Sequence, residues 1–137
     1  FLWAQLERAG EINAQRLRLC AAYREELQAL EREGLLRLPQ PEPPGVKGNG
    51  HMFYVLLRDL AARTALIGHL NSRGFHSVFH YVPLHSSPAG RRFGRTAGVM
   101  AVTDDVSSRL LRLPLYYELE EDDVRRIGAA VREFYGT

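Results

Sequence analysis

Apolar residues recur every three or four positions along the first part of the chain, which is the spacing of one face of an α-helix. The pattern predicts one long helix over residues 1–33, with Gly34 ending it after two charged residues. Asn13 is the only polar member of the stripe, which consists of Leu2, Leu6, Ala9, Asn13, Leu17, Cys20, Tyr23, Leu27 and Leu30.

This helix would be longer than the domain to which it belongs. At 1.5 Å per residue it would span roughly 45–50 Å, whereas a compact domain of 137 residues has a diameter of about 37 Å. We therefore expect the helix either to pack on something outside this sequence or to self-associate. The alternative is a break near Gly10 that gives two ordinary helices.

Strand and helix patterns alternate after a proline-rich, irregular connection at residues 39–50. Residues 51–58 and 75–82 are rich in aromatic and branched side chains, and they predict two strands. Between them, residues 63–73 predict a helix that Gly74 ends, with an apolar face formed by Leu66, Ile67 and Leu70.

The next part of the chain carries weaker signals. Residues 83–102 predict a loop, and a short helix should start near Asp104 or Asp105, whose side chains can cap it. Residues 112–115 are typical of a short edge strand, because Pro114 cannot donate a hydrogen bond to a ladder.

The final helix is predicted over residues 121–135. Acidic residues favour its positive N-terminus, and its core face consists of Val124, Ile127, Val131 and Phe134. Together these elements predict an α+β fold, in which a long N-terminal helix precedes a small, few-stranded, mainly antiparallel sheet with helices on one face.

Composition narrows the class of protein. With 45% hydrophobic and 25% charged residues, the chain can bury a core and is not a disordered tail. Its 18 basic and 16 acidic residues are interspersed, which argues against a nucleic-acid partner. No apolar run approaches the roughly 20 residues of a membrane span, and no signal peptide is visible. The start at Phe1, without a Met, indicates an excised fragment.

Two residue counts bear on chemistry. Cys20 is the only cysteine, which excludes an internal disulfide and a cysteine-based zinc site, and its place in the stripe indicates a small core residue. A reducing, cytoplasmic setting agrees with this usage. Lys47 is the only lysine, because every other basic residue is an arginine.

The richest candidate site lies at the end of the second predicted strand. Alternation places His80 and Tyr81 on opposite faces of that strand, just before the chain turns at Pro83. His80 and His85 could hydrogen-bond an anionic or hydroxyl-bearing ligand. The alternative is that these histidines are purely structural. A metal site lacks a matching ligand spacing, and a serine hydrolase lacks a nucleophile elbow.

Residues 90–95 form a small basic patch around Phe93. Such a patch could contact a phosphate or stack on a base. It is short and the rest of the chain does not extend it, so an exposed loop is the favoured interpretation.

Three stretches, residues 51–54, 79–90 and 110–117, give the sequence a family resemblance. It is similar to the C-terminal part of the DegT/StrS sugar aminotransferases, and residues 1–7 resemble the helix that links their large and small domains. The resemblance implies an interdomain helix at 1–34 and the small domain of an aspartate-aminotransferase-type fold at 35–137.

The resemblance also implies an activity. Family members are homodimers with active sites at the subunit interface, and they transfer an amino group from glutamate to a 4-keto-6-deoxy sugar nucleotide such as a dTDP-sugar. Their pyridoxal phosphate forms a Schiff base with a lysine of the large domain. A bacterial, cytoplasmic role in cell-surface polysaccharide biosynthesis follows from the resemblance, with neither nucleic acid nor membrane as partner.

The single lysine agrees with a missing cofactor site. A Schiff base needs a desolvated lysine amine, and Lys47 lies in a Pro/Gly connection without an apolar pocket. We therefore expect the fragment to be inactive alone and to bind no pyridoxal phosphate. By the resemblance, His80 and Tyr81 match positions that line the sugar-nucleotide pocket, and His85 supports the adjoining loop. The alternative is a stand-alone ligand-binding module that dimerises through its long helix.

Overall fold

The long N-terminal helix is present but interrupted once. The computed structural model describes residues 2–136 and has helix α1 at Leu2–Glu7 and helix α2 at Ala9–Arg32. The interruption falls at Arg8, two residues before Gly10, and agrees with the alternative of a break near that glycine; the Arg8 N–H donates to the Gln5 carbonyl at 3.1 Å. The ends of the two predicted domains, Phe1 and Thr137, lie outside the described residues.

Only the second half of the predicted apolar stripe is buried. Tyr23, Leu27 and Leu30 enter the core together with Leu19, which the stripe did not include. In the first half of the stripe, Leu2, Leu6 and Leu17 stay 69%, 59% and 41% exposed. Residues 2–17 of the helix thus reach beyond the core that the described residues build, as the length argument anticipated.

Three antiparallel strands form the sheet in the order β1-β3-β2, with β1 at Phe53–Leu56, β2 at Val78–Phe79 and β3 at Leu110–Leu113. The predicted edge strand was wrong, because β3 lies in the centre and Pro114 follows its last residue. Strand β2 is shorter than predicted. One cause is that the Ser77 N–H donates to the Asn71 side chain at 2.8 Å and is lost to the ladder.

The helices in the middle of the chain begin at other residues than the sequence pattern predicted. Helix α3 occupies Leu60–Ser72 and starts earlier than predicted, because an Asp59 carboxylate oxygen accepts the Ala62 N–H at 2.8 Å. The predicted loop contains a 3₁₀ turn at Leu84–Ser86 and helix α4 at Pro88–Phe93. Helix α5 begins before the aspartates expected to cap it and occupies Ala101–Arg109.

The last helix, α6, occupies Glu121–Tyr135 as predicted. Val124, Ile127 and Val131 are buried, and Phe134 is partly buried against the same core. Helix α6 packs closely on α2, because Gly128 faces Glu26 and a Cβ at Gly128 would lie 2.8 Å from the Glu26 Cβ. No helix in residues 2–136 is long and apolar enough to cross a membrane.

The sheet has a core face and an outer face, and the α+β prediction is confirmed. Alternate strand residues enter the core with α2, α3 and α6, namely Phe53, Val55, Leu111 and Leu113. The outer face is defined by neighbouring residues of the three strands that alternate with these core residues, namely Tyr54, Arg112 and Val78. Cys20 is half-buried against the core, and burial raises the pKa of its thiol.

A hydrogen bond from Tyr23 fixes the long helix to the end of the central strand. The buried Tyr23 ring stacks on Phe53 with a centroid distance of 4.9 Å, and its hydroxyl donates to the Pro114 carbonyl at 2.8 Å. We expect Tyr23→Phe to lower the free energy of unfolding by about 1–2 kcal/mol, because the buried carbonyl loses its partner. Urea unfolding followed by circular dichroism measures the change.

Tyr54→Phe is the matched control. The Tyr54 hydroxyl makes no hydrogen bond within residues 2–136, so its removal should change stability by less than about 0.5 kcal/mol. Equal midpoints for the Tyr23→Phe variant and the unmodified chain would contradict the prediction.

Candidate functional site

His80 and Tyr81 lie immediately after β2 and contact each other. Their ring centroids are 4.5 Å apart with an interplanar angle of 59°. The prediction that they point to opposite faces was wrong, because β2 ends at Phe79 and strand alternation no longer applies. His80 is half-buried and Tyr81 is 69% exposed, so the pair joins a shielded imidazole to an accessible phenol.

The His80 ring is held in its neutral form. Burial lowers the pKa of His80 below its ordinary value, and electrostatic interactions with Arg112 and His51 lower it further. No carboxylate opposes this shift. The Nδ1 atom is buried and has no hydrogen-bond partner among residues 2–136. This nitrogen is therefore an unsatisfied buried atom, which a ligand can reach only if neighbouring side chains move.

Arg112 is the charged residue nearest the middle of the outer face. It lies in β3 directly opposite Tyr54 of β1 and Val78 of β2. Its guanidinium is half-buried, and within the described part of the chain it makes neither a hydrogen bond nor an ion pair. Sequence reasoning missed Arg112, although an arginine inside an otherwise leucine-only strand was a visible signal.

His85 lies apart from this pair. Its Nε2 is 2.8 Å from the Asp104 Oδ1, and its side chain is only 18% exposed. The contact joins the 3₁₀ turn to α5, which agrees with support of the loop. Direct contact of His80, Tyr81 or His85 with a substrate stays a prediction.

Two further candidates find structural explanations. Ser86 and Ser87 each donate a hydrogen bond to a carbonyl of the turn, those of Pro83 and Leu84, so neither hydroxyl is set up as a nucleophile. The basic patch of residues 90–95 lies mostly in the short helix α4 and not in a loop, and all but the half-buried Gly90 are exposed.

The described residues do not fit a complete pyridoxal phosphate site. Lys47, the only lysine, is exposed in the irregular connection. A phosphate is best held at a helix N-terminus free of acidic side chains, yet α3 is capped by Asp59 and α6 begins with Glu121, Asp122 and Asp123. No cluster of metal-binding side chains occurs within residues 2–136 either.

The charge of Arg112 should be measurable at His80. We expect Arg112→Gln to raise the pKa of His80 towards its ordinary value, because the positive charge of the neighbouring guanidinium is removed. Titration of the His80 Cε1 proton by NMR measures this shift. Arg18→Gln is the control, since Arg18 is exposed and its contact is with Gln15 on its own helix. An unchanged His80 pKa in Arg112→Gln would refute the coupling.

Comparison with known proteins agrees with the sequence resemblance. The chain belongs to the DegT/DnrJ/EryC1/StrS aminotransferase family, whose model matches residues 1–132. A dTDP-3-amino-3,4,6-trideoxy-alpha-D-glucose transaminase of Streptomyces venezuelae is 32% identical over 124 residues, which cover 89% of this chain and 31% of that protein. A UDP-N-acetyl-3-dehydro-alpha-D-glucosamine 3-aminotransferase of Acidithiobacillus ferrooxidans is 29% identical over 133 residues, covering 96% of this chain and 33% of that protein.

Solved structures share the fold. Aminotransferase TlmJ from Streptoalloteichus hindustanus superposes with a TM-score of 0.85 at 27% identity, covering 97% of this chain and 34% of that one. S. venezuelae DesV, crystallised with a ketimine intermediate, superposes with a TM-score of 0.83 at 30% identity, covering 99% of this chain and 35% of that one. The chain therefore spans about a third of the length of the relatives it matches.

Proposed function

We propose that this chain is the small domain of a sugar-nucleotide aminotransferase and is inactive alone. Residues 1–34 act as the interdomain helix and residues 35–137 as the small domain. The observation that carries this proposal is the position of Lys47, which is exposed in a chain that belongs to an aminotransferase family. The cofactor, pyridoxal phosphate, binds to a lysine elsewhere in the full-length enzyme.

The substrate is a nucleotide sugar. The names of the relatives include a dTDP-sugar transaminase and a UDP-sugar aminotransferase, which supports that class. Within it, residues 79–90 most resemble the transaminases that make dTDP-4-amino-4,6-dideoxygalactose. We therefore assign a dTDP-linked 4-keto-6-deoxy sugar as amino acceptor and glutamate as amino donor, in a cytoplasmic homodimer that serves cell-surface polysaccharide biosynthesis.

His80 and Tyr81 are the residues that meet the sugar nucleotide. The unpartnered Nδ1 of His80 can hydrogen-bond a sugar hydroxyl once a movement of the neighbouring side chains exposes it, and the exposed Tyr81 ring offers a second polar group beside it. His85 completes the site indirectly, because its contact with Asp104 holds the loop that follows the pair.

Activity should require the longer protein and not Lys47. The 137-residue chain and the full-length enzyme that contains it are each incubated with pyridoxal phosphate, glutamate and a dTDP-4-keto-6-deoxy sugar. Mass spectrometry of the amino sugar is the readout. We expect product only from the full-length enzyme, and Lys47→Ala in that enzyme should leave turnover unchanged. Product formation by the 137-residue chain, lost in Lys47→Ala, would overturn the proposal.

A stand-alone binding module is the second candidate, because α1 exposes apolar side chains that a second copy could cover. Leu2, Trp3 and Leu6 are 69%, 73% and 59% exposed. Analytical ultracentrifugation of the chain and of Leu6→Glu tests this function. A monomer at all concentrations would dismiss it, and a dimer abolished by Leu6→Glu would favour it.

A further inference from the structure

Arg112 combines partial burial with the absence of a carboxylate partner among residues 2–136. Several arginines of the chain are paired with carboxylates at distances of 3.2 Å or less: Arg8 with Glu11, Arg58 with Asp59, Arg73 with Glu133, Arg109 with Asp105 and Arg126 with Asp123. Arg112 has no such partner within residues 2–136 and is nevertheless half-buried. A partly desolvated guanidinium without a counter-ion is unfavourable, so the position is suited to an anion supplied from outside.

The neighbours of Arg112 fit an anion and not a cation. Tyr54 lies directly across the ladder and its hydroxyl is without a hydrogen-bond partner in the described chain. Neighbouring side chains in such a pair are about 5 Å apart, close enough to share one ligand. His80, on which Arg112 acts electrostatically, adds an imidazole, and no carboxylate acts on His80.

The groove beside Arg112 does not supply the missing negative charge. Of its other charged groups, Arg73 and Arg126 are engaged by Glu133 and Asp123. The Asp123 carboxylate also accepts the Glu120 N–H at the start of α6, so it is held in place there.

We propose that Arg112 binds the diphosphate of the sugar nucleotide on the outer face of the sheet, with the Tyr54 hydroxyl donating to the same group. This assignment rests on the proposed function and extends it from the sugar, at His80 and Tyr81, to the nucleotide end of the substrate. A guanidinium suits this task because its planar fork can donate two parallel hydrogen bonds to phosphate oxygens. Neutral His80, beside it, is free to bind the uncharged sugar.

The test is binding, measured without turnover. Isothermal titration calorimetry uses dTDP, thymidine, inorganic diphosphate and glutamate, with both the 137-residue chain and the full-length enzyme. We expect dTDP and diphosphate to bind and thymidine to bind far more weakly. Arg112→Gln should weaken dTDP by about tenfold or more, because a charge-assisted contact is lost. The dTDP affinity of Arg112→Lys should lie between those of the unmodified protein and Arg112→Gln. Arg18→Gln, which removes one exposed positive charge, should bind dTDP as the unmodified protein does.

Three results would overturn the assignment. The first is equal dTDP affinity in the unmodified protein and Arg112→Gln, and the second is no dTDP binding by either form of the unmodified protein. The third is a loss of glutamate binding in Arg112→Gln with dTDP binding unaffected, which would assign Arg112 to the donor carboxylate. Binding of dTDP should also raise the pKa of His80, a response that a merely structural Arg112 would not produce.

The outcome is separable from that of the proposed function. If the full-length enzyme forms no amino sugar but Arg112→Gln still loses dTDP, the aminotransferase proposal fails and the anion site stands. If the enzyme is active and Arg112→Gln leaves KM for the sugar nucleotide unchanged, the site fails and the activity stands. Urea midpoints of Arg112→Gln and Arg112→Lys establish that both variants are folded.

Discussion

Leu111→Ala should destabilise the domain more than any other change proposed for this chain, by about 2–5 kcal/mol. Leu111 is fully buried in the central strand and stands between Val55 of β1 and Phe79 of β2. Truncation removes buried methyl groups and leaves a cavity that three fixed strands cannot close. Since small domains are stable by only about 5–15 kcal/mol, the variant should lose a large fraction of its stability.

Urea unfolding of Leu111→Ala measures this loss directly, with Leu17→Ala as the matched control. Leu17→Ala makes the same chemical change at an exposed position of α2, where alanine is at least as good a helix former as leucine. Its effect should stay within about 0.5 kcal/mol. Comparable losses in both variants would mean that the sheet does not organise the core, contrary to the packing described above.

Local signals predicted α6 well and β3 poorly, for physical reasons. The acidic start and the spacing of buried residues in α6 are properties of one segment, and both can be read from neighbouring positions. The place of β3 in the sheet is not local, because it depends on partners more than thirty residues away. Pro114 favoured an edge strand at residues 112–115, whereas β3 ends at Leu113, before the proline, and lies in the centre of the sheet.

The candidate site shows the same division between local and non-local information. The sequence pattern singled out His80 and Tyr81, and their side-by-side arrangement was missed because β2 ends at Phe79, so the strand alternation does not extend to them. Arg112 reaches the site only through the register of β3 with β2. The family resemblance supplied the chemistry, which neither composition nor periodicity could have given for a chain whose only lysine is exposed.

The N-terminal helix illustrates a limit of periodicity. Its apolar stripe has the same spacing throughout, but only the part from Leu19 onwards meets α6 and the sheet. An apolar stripe predicts that one face of a helix will be buried, but it does not show which part of the protein buries that face. The exposed Leu2, Trp3 and Leu6 are explained in the proposed enzyme by contact with the large domain.

His80→Ala should have the largest effect on the proposed reaction. In the full-length enzyme we expect kcat/KM for the sugar nucleotide to fall by about 10–100-fold, because one or two hydrogen bonds to the substrate are lost. KM for glutamate should stay unchanged, since the pair is assigned to the sugar. Steady-state kinetics with each substrate varied in turn separates the two effects.

Two variants distinguish binding from a structural role of His80. His80→Asn should recover part of the activity, because the asparagine side chain can place a polar atom near the position of Nδ1, which has no partner within residues 2–136. His76→Ala, at an exposed histidine just before β2, should behave like the unmodified enzyme. A His80→Ala enzyme with normal kinetics would remove His80 from the site. If His80→Ala and His80→Asn lost activity and stability equally, His80 would have a structural role. A residue that binds the sugar should change KM with little change in the free energy of unfolding.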